Sequence, residues 1–239
     1  MAKKSGSKSL KRLSAPRSWD IERKSSRFII RPSPGPYSIE NSYSLGVAIR
    51  DLLHLVQNKR EIDNVLSHSQ VLVDGVARKN ASFPVGLFNV ITVPKEGVSF
   101  RLIPSSDGLK ARKVAKDQSN LKLCRISSKS KVTGGRIQYG FHDGRSMLND
   151  TLALSPGDAV LMKVPEQNVV SSVKLSKGSL GLILSGERAG LVGKISDVKK
   201  GTVSRERMVT ISLPAGETEL PARLIFPVGT EAPAIEVQE

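Results

Sequence analysis

Cysteine is almost missing from this chain of 239 residues, with Cys124 the only one. That excludes an internal disulfide framework and fits a reducing compartment. Aromatic residues make up only 4%, and no strand-like stretch is studded with them, which weighs against a module that reads single-stranded bases by stacking. No apolar run approaches the roughly 18 residues of a membrane span. The cationic first residues lack the apolar stretch that follows them in a secretory signal. The histidines are His54, His68 and His142, and there is no Cys-x-x-Cys or His-Glu-x-x-His pair from which to build a zinc site. No metal, cofactor or membrane crossing is therefore expected. Acids are scarce as well, 22 against 37 Lys and Arg, a net charge of +15. Such an excess favours a phosphate polymer or an anionic membrane surface as partner.

What is present is unevenly placed. Residues 1–36 carry a net +8, 37–105 only +1, 106–165 +6, and 166–239 balance. The first segment, with Pro32, Pro34 and Pro36, cannot be helical. It reads as an extended basic arm, residues 1–41, with Trp19, Phe28, Ile29 and Ile30 as anchoring points. Trp19, in "SLKRLSAPRSW", has almost nothing local to pack against. Either it packs on a partner, the preferred expectation, or it docks on another part of this chain.

Leu45, Ala48, Ile49, Leu52, Leu53 and Val56 share one helical face, with Ser42 or Ser44 as N-cap. A second helix is expected after Asn58, with Glu61 completing a capping box and Ile62, Val65 and Leu66 inward. Lys59 and Arg60 fall in its first turn, where the helix dipole disfavours cations and a phosphate partner would favour them. Beyond residue 70 the pattern turns to strands. "VLVDGVAR" reads as a type I′ hairpin about Asp74-Gly75, and "RIQYGF" alternates Ile137, Tyr139 and Phe141 on one face. Residues 176–213 read as five short strands of a small barrel. The last 23 residues hold five glutamates and one arginine, and read as a partly ordered tail. The fold class expected is α+β, mainly β and multidomain. Its parts are the arm 1–41, a two-helix domain 42–104, a central β domain 105–170, a barrel 171–215 and an acidic tail 216–239.

No reaction emerges from the residues. "GLVGKIS" fails as a phosphate loop, because Arg188 stands where the upstream glycine is needed and Ile195 follows Lys194. Cys124, between Lys122 and Arg125 in "LKLCRI", is a core residue by pattern, and Asp143-Gly144 beside His142 is first a turn. Arginines next to turns, Arg78, Arg136, Arg145 and Arg188, suit bidentate contact with the phosphates of folded RNA.

The order of "LKRLSAPRSWDI", "RPSPGPYS", the two-helix unit, "VLVDGVAR", "FPVGLFNVI", "LKLCRI", "GGRIQ", "HDGR" and "GERAGLVGKI" resembles the small-subunit ribosomal protein S4e family of archaea and eukaryotes, with a length like the archaeal members. The resemblance implies an arm threaded into ribosomal RNA, an alpha-L RNA-binding domain, a central β domain and a KOW-type SH3-like barrel. It also implies a structural role without enzymatic activity. The arm signature falls on Lys11, Arg12, Leu13, Pro16, Trp19 and Ile21, and the KOW glycines on Gly186, Gly190 and Gly193. Ser9 stands where the family usually has histidine, and the "RPSPGP" stretch ends in Tyr37. The residues expected at RNA are Lys11, Arg12, Arg17, Trp19, Arg23, Lys24, Arg27 and Arg31 in the arm. In the two-helix domain they are Tyr43, Arg50, Lys59, Arg60, Arg78 and Lys79. Arg136, His142 and Arg145 follow in the central domain, and Arg188 and Lys194 in the barrel. The partners implied are small-subunit ribosomal RNA and neighbouring small-subunit proteins, with the chain a monomer within a cytoplasmic ribosome. The competing classes are a free RNA-binding or transcription factor with a KOW barrel, and an RNA-modifying enzyme, for which no catalytic domain is left over.

Overall fold

Alternating Val, Ile and Leu build most of the chain into antiparallel strands. The computed structural model describes residues 9–150, 152–202, 205–214 and 216–237. The first eight residues of the arm, with Lys3, Lys4 and Lys8, lie outside them. The result is mainly β with little helix, as the sequence implied. Among the described residues no helix is long and apolar enough to cross a membrane.

Three five-stranded sheets follow one another. The first runs, in spatial order, Val76–Ala77, Leu72–Val73, Val90–Val93, Val98–Ser105 and Gly108–Val114. Its hairpin turn has positive φ at both central residues, Asp74 (50°) and Gly75 (78°), the type I′ geometry expected. The central sheet is Ser146–Leu148, Ile137–Phe141, Leu121–Lys131, Ala159–Lys163 and Asn168–Val173. The third is Gly216–Pro221, Met208–Leu213, Val192–Lys199, Leu180–Ile183 and Ile225–Gly229.

These sheets divide the chain elsewhere than the sequence reading did. The hairpin 98–114 belongs to the first sheet, so the break falls between 114 and 121 rather than at 105. Two of the third sheet's strands come from the stretch read as an acidic tail. Ile225, Phe226 and Val228 are wholly buried there, and Ile235 and Val237 nearly so. Glutamate counting missed the apolar run "LIFPV" between the acids.

The helical part also differs. A short turn Leu45–Val47 passes into a wider π-type turn at Ala48–Leu52, with Leu53 N–H donating to Ala48 O at 2.9 Å. The register drifts, so Leu52, Leu53 and Val56 end up only half-buried. The widened turn carries Asp51, which takes Arg50 at 2.8 Å and Arg12 at 3.3 Å. The second helix, Lys59–Ser67, is as expected. The Glu61 carboxylate accepts from the N–H groups of Gln57 and Asn58, and Ile62 and Leu66 are fully buried.

From residue 9 on, the arm is docked rather than extended. Leu10–Lys11 pairs antiparallel with Phe28–Ile29, Leu10 opposite Ile29 and Lys11 opposite Phe28. Strand alternation puts Leu10 and Ile29 on the core face and Lys11 and Phe28 outside. Trp19 is only 3% exposed and stacks on Tyr43, ring centroids 5.3 Å apart. The Tyr43 hydroxyl accepts from Asp20 N–H (2.9 Å) and donates to Ser18 O (3.1 Å), fastening the loop around the indole. The preferred expectation for Trp19 is therefore corrected. Its partner is this chain's own Tyr43, and with Leu45, Ile62, Leu66 and Leu102 it belongs to the first apolar core. A second core joins the three sheets, with Ile103 from the first and Phe88 from the turn that leads into it, Leu123 and Leu161 from the central and Leu182 and Phe226 from the third.

Candidate nucleic-acid interface

Charge is organised in two ways, one buried and one open. The buried arrangement starts at Asp74, whose turn position keeps it 3% exposed at the junction of the first and central sheets. Its carboxylate accepts from Val90 N–H (2.9 Å), Asn89 Nδ2 (2.8 Å), Lys122 Nζ (2.7 Å) and Arg145 Nη2 (3.0 Å). Lys122, fully buried in the long central strand, also meets Asp143 Oδ2 at 2.9 Å, and Arg145 Nε lies 3.3 Å from the same oxygen. Two cations and two carboxylates thus cancel across the junction. Burial alone would push the Lys122 ammonium down, but the carboxylates, Asp74 above all and then Asp143, hold it above its ordinary value. Burial opposes the ionised Asp143 carboxyl too, yet Lys122 and its other partners keep it below the usual carboxylate range.

Neighbouring groups are silenced by the same burial. The Cys124 thiol is pushed up by burial and stays protonated, its Sγ 3.6 Å from Asp143 Oδ2. His142 is driven down to about 4, first by burial and then by Lys122, so its ring is neutral at physiological pH. Its Nδ1 accepts from Arg125 N–H at 3.1 Å, and its ring meets Tyr37 and Phe226 edge-on. Arg125 in turn donates to Arg223 O and Ile225 O, tying the central sheet to the third.

The open arrangement is a cleft of about 780 Å³ where the arm crosses the two-helix unit. Arg31, Arg50, Lys59 and Lys79 line it, against one acid, Asp63. Arg31 comes from the proline-rich segment after the ribbon, Lys59 from the first turn of the capped helix and Lys79 from the chain after the hairpin. Phe28 forms part of the wall and is half exposed, at 50%. A second hollow of about 850 Å³ lies where the arm and all three sheets meet, lined by Arg17, Arg125, His142 and Arg223 together with Glu40 and Asp107. Its signs are mixed and its Arg125 is committed to backbone carbonyls, so the smaller cleft is the better anion site.

The residues expected at RNA accordingly separate. Lys11, Arg17, Lys24, Arg27, Lys59, Arg60, Lys79, Arg136, Arg188 and Lys194 are exposed, Arg31 and Arg50 half so. Arg188 also donates to Thr218 Oγ1. Of the remainder, Trp19, Tyr43 and Arg12 are buried, which corrects the expectation for them, and Arg23, Arg78, His142 and Arg145 are half-buried with contacts inside the chain. Trp19 and Tyr43 are core. Arg12 is 4% exposed and holds Glu22 O, Ser26 Oγ and Asp51. Arg23 donates to Ala15 O and Pro16 O. Arg78 stacks over Phe83 at 4.5 Å. His142 and Arg145 belong to the sheet junction, where the low dielectric favours fixed internal partners over a phosphate. The reading of the sequence missed Lys122, although a cation set among the apolar residues of "LKLCRI" is the signal of a buried partner.

A family model described as "Ribosomal family S4e" matches residues 96–169, and one described as "RS4NT (NUC023) domain" matches residues 4–40. The small ribosomal subunit protein eS4 of Methanothermobacter thermautotrophicus is 36% identical over 239 residues, covering 99% of this chain and 98% of its own length. The chain belongs to the S4e family of ribosomal proteins. The eS4 protein of Archaeoglobus fulgidus is 39% identical over 201 residues, 84% of each chain. The crystal structure of the 30S ribosomal protein S4e from Thermoplasma acidophilum is similar with a TM-score of 0.69 and 28% identity, over 80% of this chain and 96% of that one. The N-terminal match falls on the arm and spans the ribbon and Trp19. The longer match begins at the hairpin 98–114 and contains the junction residues Lys122, Asp143 and Arg145.

Proposed function

We propose that this S4e protein is a structural constituent of the small ribosomal subunit that grips folded ribosomal RNA and carries no enzymatic activity. The observation that carries the reading is the open cleft set where the arm and the two-helix unit converge, in which Arg31, Lys59 and Lys79 face one acid, Asp63, and a fourth cation, Arg50, is paired with Asp51. A helix N-terminus with Lys59 and Arg60 in its first turn is electrostatically unfavourable alone and becomes favourable beside phosphate. The two-helix unit with its hairpin is read as the alpha-L RNA-binding domain. The third sheet is read as the KOW-type SH3-like barrel. In support, Gly186 and Gly190 have φ of 99° and 86°, and a Cβ on Gly193 would strike Ser212 O. Neighbouring small-subunit proteins are the expected protein partners, with the chain a single copy on a cytoplasmic ribosome.

The test is binding of the full chain to transcribed small-subunit ribosomal RNA across a salt series, together with sedimentation of cell extract. Nearly all of the protein is expected with the small subunit. Lys59→Gln with Lys79→Gln is expected to flatten the log–log salt slope by about 2, one for each phosphate left without its lysine. A protein found mostly at the top of the gradient would instead favour a free RNA-binding factor.

A further inference from the structure

We propose that Phe28 is a stacking platform for one unpaired RNA base at the mouth of the open cleft. This rests on the RNA-binding reading and adds to it the kind of nucleotide bound. The Phe28 ring stands on the outer face of the two-stranded ribbon, half in water, while its strand neighbour Ile29 is buried. The ring carries no polar atom, so nothing in the chain fixes it there by hydrogen bonding. Around it cations outnumber acids, with Asp63 the one carboxylate that lines the cleft. Lys11 is its cross-strand partner, the Arg27 guanidinium lies 5.3 Å from its ring centroid, and Lys59 and Lys79 line the same cleft. A flat apolar face ringed by cations complements a nucleotide, whose base offers a π-face and whose flanking phosphates offer charge. Bases within a duplex are already stacked on each other and have no face free for the ring, so the platform selects a looped-out or single-stranded nucleotide. Because a phenyl ring reads no hydrogen-bond edge, the contact tolerates any base.

Full-length protein is titrated with two probes, a single-stranded RNA 12-mer of mixed sequence and a blunt RNA duplex of the same length. Phe28→Ala is expected to weaken binding to the single strand on the order of 10-fold, while its salt slope and its duplex affinity stay unchanged. Phe28→Leu, which keeps apolar bulk without a π-face, is expected to behave like Phe28→Ala. Phe28→Trp is expected to keep affinity and to show tryptophan emission quenched by the single strand, with the wild-type Trp19 signal, buried, unchanged. Equal binding by wild type and Phe28→Ala, a leucine variant that binds as well as wild type, or equal losses on both probes would overturn the stacking assignment while leaving the RNA reading intact. Wild-type protein that bound neither probe nor ribosomal RNA at any salt would overturn both.

Discussion

Replacing Lys122 by methionine removes the centre of the buried charge cluster with little change of volume. Lys122 Nζ bridges Asp74 and Asp143 at 2.7 and 2.9 Å with no exposure. Without it, two buried carboxylates share a single guanidinium, Arg145, 3.0 and 3.3 Å away. Removing one partner of a buried ion pair costs about 3–5 kcal/mol, and the surviving arginine sets the loss toward the lower end. For a chain of this size that lowers Tm by roughly 10 °C. An exposed control, Lys194→Met, is expected to stay within about 0.5 kcal/mol of wild type.

The pH dependence carries a sign of its own. In the wild type the Asp143 carboxyl sits below its ordinary range, so its contribution is present at neutral pH. That contribution fades as pH falls through the lowered value. In Lys122→Met, burial is no longer opposed by the ammonium and pushes that carboxyl up, so the variant regains stability as pH drops from 7 toward 5. Urea unfolding of the full chain at both pH values reads this, with near-ultraviolet dichroism for the packed aromatic rings. A loss under about 1 kcal/mol at pH 7, or a variant that weakens in parallel with wild type on acidification, would refute the assignment of this cluster as the tie between sheets.

Two further outcomes follow from the inward-facing residues. Trp19, as the only tryptophan, is expected to emit blue-shifted light and to resist acrylamide in the RNA-free protein, and Trp19→Ala to cost about 3–5 kcal/mol. Red-shifted, readily quenched emission would mean that the arm is undocked. Arg136→Glu is expected to weaken RNA binding without lowering Tm, whereas Arg145→Glu is expected to lower Tm by placing a third carboxylate at the junction. Equal Tm values for the two variants would show that Arg145 is not structural.

Features coded within a few residues were legible in the sequence. The capping box Asn58–Glu61 closes within one helical turn, and the Asp74-Gly75 turn is written in two residues whose positive φ the fold reproduces. Trp19 was not legible, because the surface it needs, Tyr43, lies 24 positions along and is brought beside it only when the arm folds back. Weighing the arm by its own composition made it look unable to fold, when its ordering is offset by burial against the two-helix unit. The π-type turn was illegible for another reason. The apolar spacing over 45–56 suits a regular helix and carries no signal of the widened turn, whose Asp51 meets Arg12 from 39 positions earlier in the chain.

Net charge per segment misled in the same way, and the cause can be followed residue by residue. Arg136 and Arg145 both stand beside glycine turns and look alike in sequence. Arg145, however, has Asp143 two residues before it and Asp74 across the sheet junction, while Arg136 has neither. Of the eleven cations in 106–165, Lys110, Lys122, Arg125, Lys129 and Arg145 are engaged by internal carboxylates or carbonyls, so the outward charge of that segment is smaller than its +6. The segment 37–105 carries only +1 on paper, yet it supplies Lys59 and Lys79 to the cleft, with Arg50 there paired to Asp51, while its Asp74 is buried against Lys122. An acid that is neutralised internally no longer offsets a cation at the surface. The field a phosphate meets is therefore set by which charges the fold consumes, not by the count along the chain.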